Sequence, residues 1–393
     1  MNILCKRPLL IVLALTILLA IAACGAPGDA DGPADTPGVQ NTPQPDNTPD
    51  GAGPDAAEPT TRIIRDALGR EVEVPVVVER IVPLGNAARL CTYLGLQDKF
   101  VTISESDLSV NPFMAYGWYN HDLWADLPIA ASGGYGVFHP EVILEAEPDV
   151  ILCTYEADIV ASIEEQTGLP VVAVAQGKLF AEDYEQSLRI LGEACGVSDR
   201  AEEVVAFIHT CLDDLHTRTQ DIPEDSKPLI LGAAATFRGG HGISGVYVDY
   251  PVFRSIAARD AAVGLEKADF DTGVEVDREQ ILLWDPDILF LDAGNMGLIE
   301  AEYAESPDYF NQLSAVRNGQ VYQWPNSTAN YTNLEIPLVS AYYAGTILYP
   351  EAFADVDFAS KAAEIFDFFL GHGEFLQVLQ ENNGDYRQIT LGA

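Results

Sequence analysis

The sequence predicts an α/β protein of two similar lobes joined by one long helix, and three observations predict it. The first is an internal echo. Residues 141–152 read EVILEAEPDVIL and residues 279–290 read EQILLWDPDILF, each a short helical stretch, a Pro-Asp pair and an apolar run. The second is that these runs are uniformly apolar, as in strands buried on both faces of a sheet covered by helices. The third is the helical spacing of Ala201, Val204, Val205, Ile208, Leu212 and Leu215, with Glu202, Glu203, Asp213 and Asp214 on other faces.

The first two dozen residues read as an export signal. Lys6 and Arg7 precede a run from Leu9 to Ala23 that is apolar or small apart from Thr16. That run is shorter than the roughly 20 apolar residues a bilayer span needs, so it reads as the core of a signal peptide. It ends in Ile21-Ala22-Ala23-Cys24-Gly25, which resembles a bacterial lipobox with Cys24 as the lipidated residue; the alternative is an ordinary small-residue cleavage site with a cysteine beside it. Residues 24–60 are rich in Gly, Ala, Pro, Asp, Thr and Asn and carry no Lys, Arg or aromatic residue. Such a composition predicts a disordered acidic linker, extended by self-repulsion, that holds a folded body away from a membrane.

The body is therefore expected as an N-terminal lobe over 61–180, a bridging helical segment over 181–222 and a C-terminal lobe over 223–393. Its strands are read at 80–84, 100–103 and 171–174, then at 229–232 and 321–324, with a buried strand of about four to five residues following each Pro-Asp pair. The long helix is placed at 198–219 with Ser198 as its N-cap, about 33 Å at roughly 1.5 Å per residue. The formal net charge of −39 excludes nucleic acid and anionic lipid surfaces as partners, since both demand basic patches. Cys91, Cys153, Cys195 and Cys211 form no C-x-x-C pair, which leaves zinc and redox motifs without support; Cys91 and Cys153 read as buried apolar groups, and any disulfide pairing is unreadable.

Several segments, in order, resemble the periplasmic-binding-protein family that serves iron-siderophore, haem and vitamin B12 importers. They are Asp66-Ala67-Leu68-Gly69-Arg70 with Glu79-Arg80-Ile81-Val82, the run Tyr93 to Lys99, the paired Glu-x-Ile-Leu…Pro-Asp units, and the stretch Leu188 to Val205. The resemblance covers roughly residues 62–350. It implies two Rossmann-like α/β lobes bridged by a single long helix, a ligand cleft between them and limited closure. It also implies an ABC permease as partner, with Glu141 and Glu279 docking onto permease arginines. The alternative for each glutamate is a place in the first helical turn, where the macrodipole favours an anion. One departure from the family stands at Asn86-Ala87-Ala88-Arg89, where many relatives carry Ser-Pro and an acidic residue.

Two segments are expected to touch ligand. Residues 113–124, read as a cleft-facing loop, supply Tyr116, Trp118, Tyr119 and His121; residues 237–244, a glycine-rich loop after the first strand of the second lobe, supply Arg238 and His241. Tyr331, after the strand ending at Trp324, is a weaker candidate. For each the competing reading is a satellite apolar cluster or a solvated turn. The expected ligand is a ferric siderophore or similar anionic metal chelate, with Arg238 as its cation and aromatic walls around it. A corrinoid or haem is the alternative, with His241, His121 or a tyrosine as axial ligand. No G-x-S-x-G elbow and no G-x-x-x-x-G-K-[ST] loop occurs, so no enzyme is expected, and neither a resident cofactor nor a protein metal site. A structural or adhesive surface lipoprotein is the remoter alternative.

Overall fold

The computed structural model describes residues 59–268 and 272–392. The signal segment, Cys24 and almost all of the acidic linker lie outside them. The described chain opens with an antiparallel hairpin, β1 (Thr61–Arg65) and β2 (Glu71–Pro75). Its turn explains the motif that opens the family resemblance. Asp66 is buried and its carboxylate accepts the backbone N–H groups of Leu68 and Arg70 (3.0 and 2.9 Å) and the Arg70 guanidinium (2.6 Å), while Gly69 takes φ +77°. Arg70 also reaches the Val171 carbonyl, so the turn is bolted to the first-lobe sheet.

That sheet is built from β3 (Ile81–Leu84), β6 (Val150–Cys153) and β7 (Val171–Ala173), all parallel and in the order β3-β6-β7. A second parallel pair, β4 (Ile103–Ser104) and β5 (Ile129–Ala131), adjoins it through a single bridge from Phe100 to Ile81, so the strand expected at 100–103 is largely a bend that turns into β4. Helices α1 (Ala87–Tyr93), α2 (Ala115–Trp124), α3 (Pro140–Glu145), α4 (Ala157–Thr167) and α5 (Glu182–Cys195) connect these strands. Residues 115–124 are thus helix, not the loop expected from their aperiodic aromatics. Tyr116 and Trp124, eight positions apart, share the buried face.

The helix α6 spans Ser198–Thr219, the predicted bounds, but Ser198 is its first residue and no side chain caps it. Gly196, at φ +74°, ends α5 in the left-handed conformation, as a C-terminal glycine should. Arg200 fastens α6 to the Tyr93 carbonyl of the first lobe, and Arg218 forks onto Asp355 of the second (2.6 and 3.0 Å).

The second lobe follows with β8 (Leu229–Ala233), β9 (Gly245–Tyr247), α7 (Pro251–Ser255), β10 (Arg259–Asp260), β11 (Gly273–Glu275), α8 (Arg278–Trp284) and β12 (Ile288–Asp292). Next come α9 (Met296–Glu305), α10 (Pro307–Phe310), α11 (Ser314–Arg317), β13 (Val321–Trp324), α12 (Glu335–Leu348), α13 (Phe358–Leu370), α14 (Phe375–Glu381) and β14 (Arg387–Gln388). The sheet order is β11-β9-β8-β12-β13-β14, with β8, β12 and β13 parallel and β10 alongside β8. The last helices cross back: α13 packs on α1 and α2, and one apolar core runs from Ile64 through α6 to Phe375. Cys91, Cys153, Cys195 and Cys211 are all buried free thiols.

The echo has a structural cause. Glu147 and Asp285, each just before a proline, take left-handed φ of +44° and +41° and turn the chain out of its helix. Then Asp149 accepts the backbone N–H of Arg80 (2.9 Å) at the entry to β3, and Asp287 accepts that of Leu229 (2.8 Å) at the start of β8. In each lobe the Pro-Asp aspartate pins the neighbouring strand, which sets the registers Ile81↔Val150 and Ile230↔Ile288.

Candidate functional site

Three cavities sharing lining residues run along the seam between the lobes. The first, about 370 Å3, lies between Gln176–Leu179 of the first lobe and Val248–Pro251 of the second. The third, about 260 Å3, shares Gln176, Thr272, Thr328 and Thr332 with it and adds Phe237 and Arg238. The second, about 210 Å3, is reached through Tyr331 and is lined by Ser104, Ser132, Tyr135 and Tyr155. Many of these walls lie just beyond the carboxyl end of a strand: Gly85 after β3, Tyr155 after β6, Gln176 after β7 and Thr236 after β8. Open α/β sheets bind ligands at such ends. A larger hollow of about 660 Å3 lies under the C-terminal segment of the second lobe alone.

The two ends of the cleft differ in chemistry. Lys178, Arg254 and Lys267 line the first cavity and Arg238 the adjoining one, a gathering of cations in a chain of net charge −39. Arg254 is forked onto Asp249 (3.0 and 2.9 Å), whereas Lys178 and Lys267 have no side-chain hydrogen bond or ion pair among the described residues. The far end is hydroxylic. Burial pushes the Tyr155 phenol up to about 12 and raises Tyr331 as well; Tyr135 is raised first by burial and then by its hydrogen bond to Glu156. The Ser104 hydroxyl is buried there without a hydrogen-bond partner among the described residues.

The loop 326–333 separates the two ends and is held from below. Arg89, fully buried on α1, donates to Asn86 Oδ1 (2.7 Å) and to the carbonyls of Ala329 (2.9 Å), Asn330 and Thr332 (3.2 Å). Asn330 Nδ2 in turn donates to Asp107 Oδ1 (2.9 Å) and to the Tyr116 hydroxyl (2.8 Å). Burial pushes the Asp107 carboxyl up to about 6 against the pull of Tyr116, Arg89 and Asn330.

Of the residues expected at the site, Arg238 and Tyr331 line the cleft. His241 does not. Its ring stacks on Phe237 (3.9 Å), its Nε2 N–H donates to the Phe237 carbonyl (2.8 Å), and Nδ1 faces Glu275 (3.2 Å), so both nitrogens are engaged within its own lobe. Tyr116 is wholly buried, its hydroxyl donating to Asp107 and its ring beneath the Arg89 guanidinium (4.6 Å). Trp118, Tyr119 and His121 are half-buried on α2, which packs on α1 and α13; the Tyr119 ring stacks on His372 (3.7 Å), and His121 faces Asp122 (3.4 Å). None of these three lines the cleft, and Tyr119 packs instead against the C-terminal segment at His372 and Phe375.

Glu141 and Glu279 are each the second residue of a short helix, exposed, and without a hydrogen bond or ion pair among the described residues. Lys178, Arg254, Lys267, Tyr135 and Tyr155 were missed by sequence reasoning. One signal was present: Gly133-Gly134-Tyr135-Gly136 in the first lobe parallels Gly239-Gly240-His241-Gly242 in the second. The cations carry no such signal, being single residues on separate loops and on the short helix α7.

Comparison with known proteins bears directly on this architecture. The family model described as "Periplasmic binding protein" matches residues 119–328. An uncharacterized ABC transporter substrate-binding lipoprotein of Bacillus subtilis, YvrC, is 23% identical over 265 residues, which is 66% of this chain and 76% of that protein. The Fe(3+)-citrate-binding protein YfmC of the same organism is 27% identical over 189 residues, 48% of this chain and 57% of its own. The crystal structure of a periplasmic solute binding protein from Veillonella parvula superposes with a TM-score of 0.62 at 18% identity, over 79% of this chain and 93% of that one, which shows the fold. These relatives are solute-binding proteins and not enzymes. With two α/β lobes, a single bridging helix, a cleft at the strand ends and a family match over half its length, the chain belongs to the periplasmic binding protein family, the solute-binding proteins of ABC importers.

Proposed function

We propose that this protein captures an anionic metal chelate, a ferric siderophore above all, in the cleft between its lobes and delivers it to the membrane permease. The observation that carries the reading is the set Lys178, Arg238, Arg254 and Lys267 around one cleft of a strongly acidic chain. Such cations make charge-assisted hydrogen bonds to carboxylate or catecholate oxygens. Tyr135, Tyr155 and Tyr331 offer the organic periphery an aromatic wall. The relative named as a Fe(3+)-citrate-binding protein supports a carboxylate-rich chelate. A haem or corrinoid, the second reading, would rest on a cleft tyrosine as axial ligand, since His241 is engaged elsewhere and His121 lies on α2.

Calorimetric titration of the purified protein with ferric citrate, ferric catecholates, haem and cobalamin tests this. Binding of a ferric chelate is expected, weakened about tenfold by Lys178→Ala or Lys267→Ala, the worth of roughly one charge-assisted hydrogen bond, and weakened further by added salt. Tight binding of haem with a Soret band, and no response to the ferric chelates, would reject the siderophore.

The remaining organisation is proposed as the sequence suggests: a signal peptide over 1–23, an acidic tether over 24–60, and lobes divided near the helix α6. No helix among the described residues is long and apolar enough to cross a membrane. Attachment through a lipid on Cys24 supplies an anchor without one. Mass spectrometry of the membrane fraction should find an acylated Cys24 at the mature N-terminus, and Cys24→Ala should release the protein into the medium or periplasm. A mature N-terminus elsewhere, unmodified, ends the lipoprotein reading.

A further inference from the structure

A buried guanidinium is costly unless its donors are satisfied, and Arg89 is fully buried yet forms no ion pair among the described residues. Three of its four hydrogen bonds go to main-chain carbonyls of one loop, Ala329, Asn330 and Thr332, which belongs to the other lobe. The same loop is gripped a second time from the first lobe, through the Asn330 side chain on Asp107 and Tyr116. Two adjacent residues of the loop, Asn330 and Tyr331, hold left-handed φ values of +48° and +71°. An aromatic residue keeps such a conformation only where its surroundings over-determine it. The loop also lines all three cavities: Thr328 and Thr332 the first and third, Asn330 the second, and Tyr331 the second and third.

We propose that Arg89 is a positioning residue for the ligand cleft: by clamping the carbonyls of Ala329, Asn330 and Thr332, on both sides of Tyr331, it holds Tyr331 in its strained conformation and fixes the span between the lobes at the cleft floor. It does this without touching ligand. The fork matters as much as the charge, because Nη1 and Nη2 serve four acceptors from two separate points, whereas a lysine ammonium holds its three donors on one nitrogen. The departure from the family at Asn86-Ala87-Ala88-Arg89 thereby acquires a role, since Asn86 supplies the remaining acceptor and orients the fork. The proposal about loop geometry stands on contacts alone; its consequence for affinity rests on the cleft being the ligand site.

Hydrogen exchange on the unliganded protein separates the two. Arg89→Gln is expected to speed amide exchange across 328–333 by tenfold or more, with β12 and β13 unchanged. Exchange that stays slow in this loop, or that accelerates equally in the strands, overturns the clamp. Should Arg89→Gln fail to fold, Arg89→Lys keeps the charge and removes the fork over the loop carbonyls; it should accelerate the same segment, and an unaltered rate there likewise overturns the proposal. The affinity arm uses ferric citrate as probe, with Arg89→Lys, Tyr331→Ala and the double variant. If Arg89 acts through Tyr331, each single change weakens binding about tenfold and the double change adds little more. Full additivity rejects positioning through Tyr331. Wild-type protein that binds no ferric chelate sinks the ligand assignment only, and the exchange result still decides the clamp.

Discussion

Replacing Glu141 and Glu279 together with alanine is expected to abolish uptake of the ferric chelate while leaving its dissociation constant in solution within about twofold of the parent value. Both carboxylates are exposed, neither is spent on an internal partner among the described residues, and neither lines the cleft. They occupy equivalent places in the two halves of the echo, one on each lobe, at the second residue of α3 and of α8. A pair of unneutralised carboxylates presented by two lobes suits bidentate capture by two arginines of a permease, which orients as well as attracts. The competing role, an anion in the first helical turn, is worth only about 0.3–1 kcal/mol of stability per site. The two roles separate cleanly in one experiment. Thermal unfolding reports the helix contribution, solution titration reports the cleft, and transport in cells or vesicles carrying the permease reports docking. Lost chelate affinity in the double variant would move the glutamates into the ligand site, and normal uptake would remove them from docking.

What the sequence made legible follows from how locally each feature is encoded. The helix α6 is written into a 22-residue apolar period that no single residue can erase, and its ends were placed correctly even though the expected Ser198 cap is not made. The Pro-Asp echo was visible because a proline, the residue before it and an aspartate act within a few positions; what they act upon, the starts of β3 and β8, lies far off in sequence. The cleft was much less legible. Its cations stand at 178, 238, 254 and 267 on three unrelated loops and the short helix α7, and only the fold gathers them. Aromatic density misled at 113–124, where Tyr116 and Trp124 are core residues of a helix and Tyr119 packs against the C-terminal segment. Arg89 reads in sequence as an oddity beside an alanine pair; its meaning depends on a loop some 240 residues away.

Acidification from pH 7.5 to about 5 is expected to stabilise the folded body, the reverse of ordinary acid denaturation. Asp107 and Asp292 are fully buried, and burial lifts both carboxyls from an ordinary 3.8 to about 6, although hydrogen bonds from Tyr116 and Asn330 to the first and from Tyr247, Gly294 and Asn326 to the second pull the other way. Glu335, buried against Tyr93, is raised as well. The sign follows from proton counting. Between pH 4 and 6 the folded state holds protons that the unfolded state has released, so stability falls as pH rises through that interval and levels off above it. A gap from 3.8 to about 6 corresponds to about 3 kcal/mol for each carboxyl, an order-of-magnitude figure. The carboxylates shifted downward, Asp285, Asp355, Asp357 and Glu374, act in the opposite sense, but they sit at the surface, where solvent screens them. Relief of repulsion in a chain of net charge −39 adds to the stabilisation without any specific site. Asp107→Asn and Asp292→Asn separate the two causes, because an amide keeps the shape and removes the titration. Unfolding midpoints measured from pH 4.5 to 8 in high salt should rise toward acid in the parent and rise less steeply in the double variant, in which Glu335 and Asp260, both raised by burial, still titrate. Equal slopes in parent and variant would leave Asp107 and Asp292 without a part in the effect.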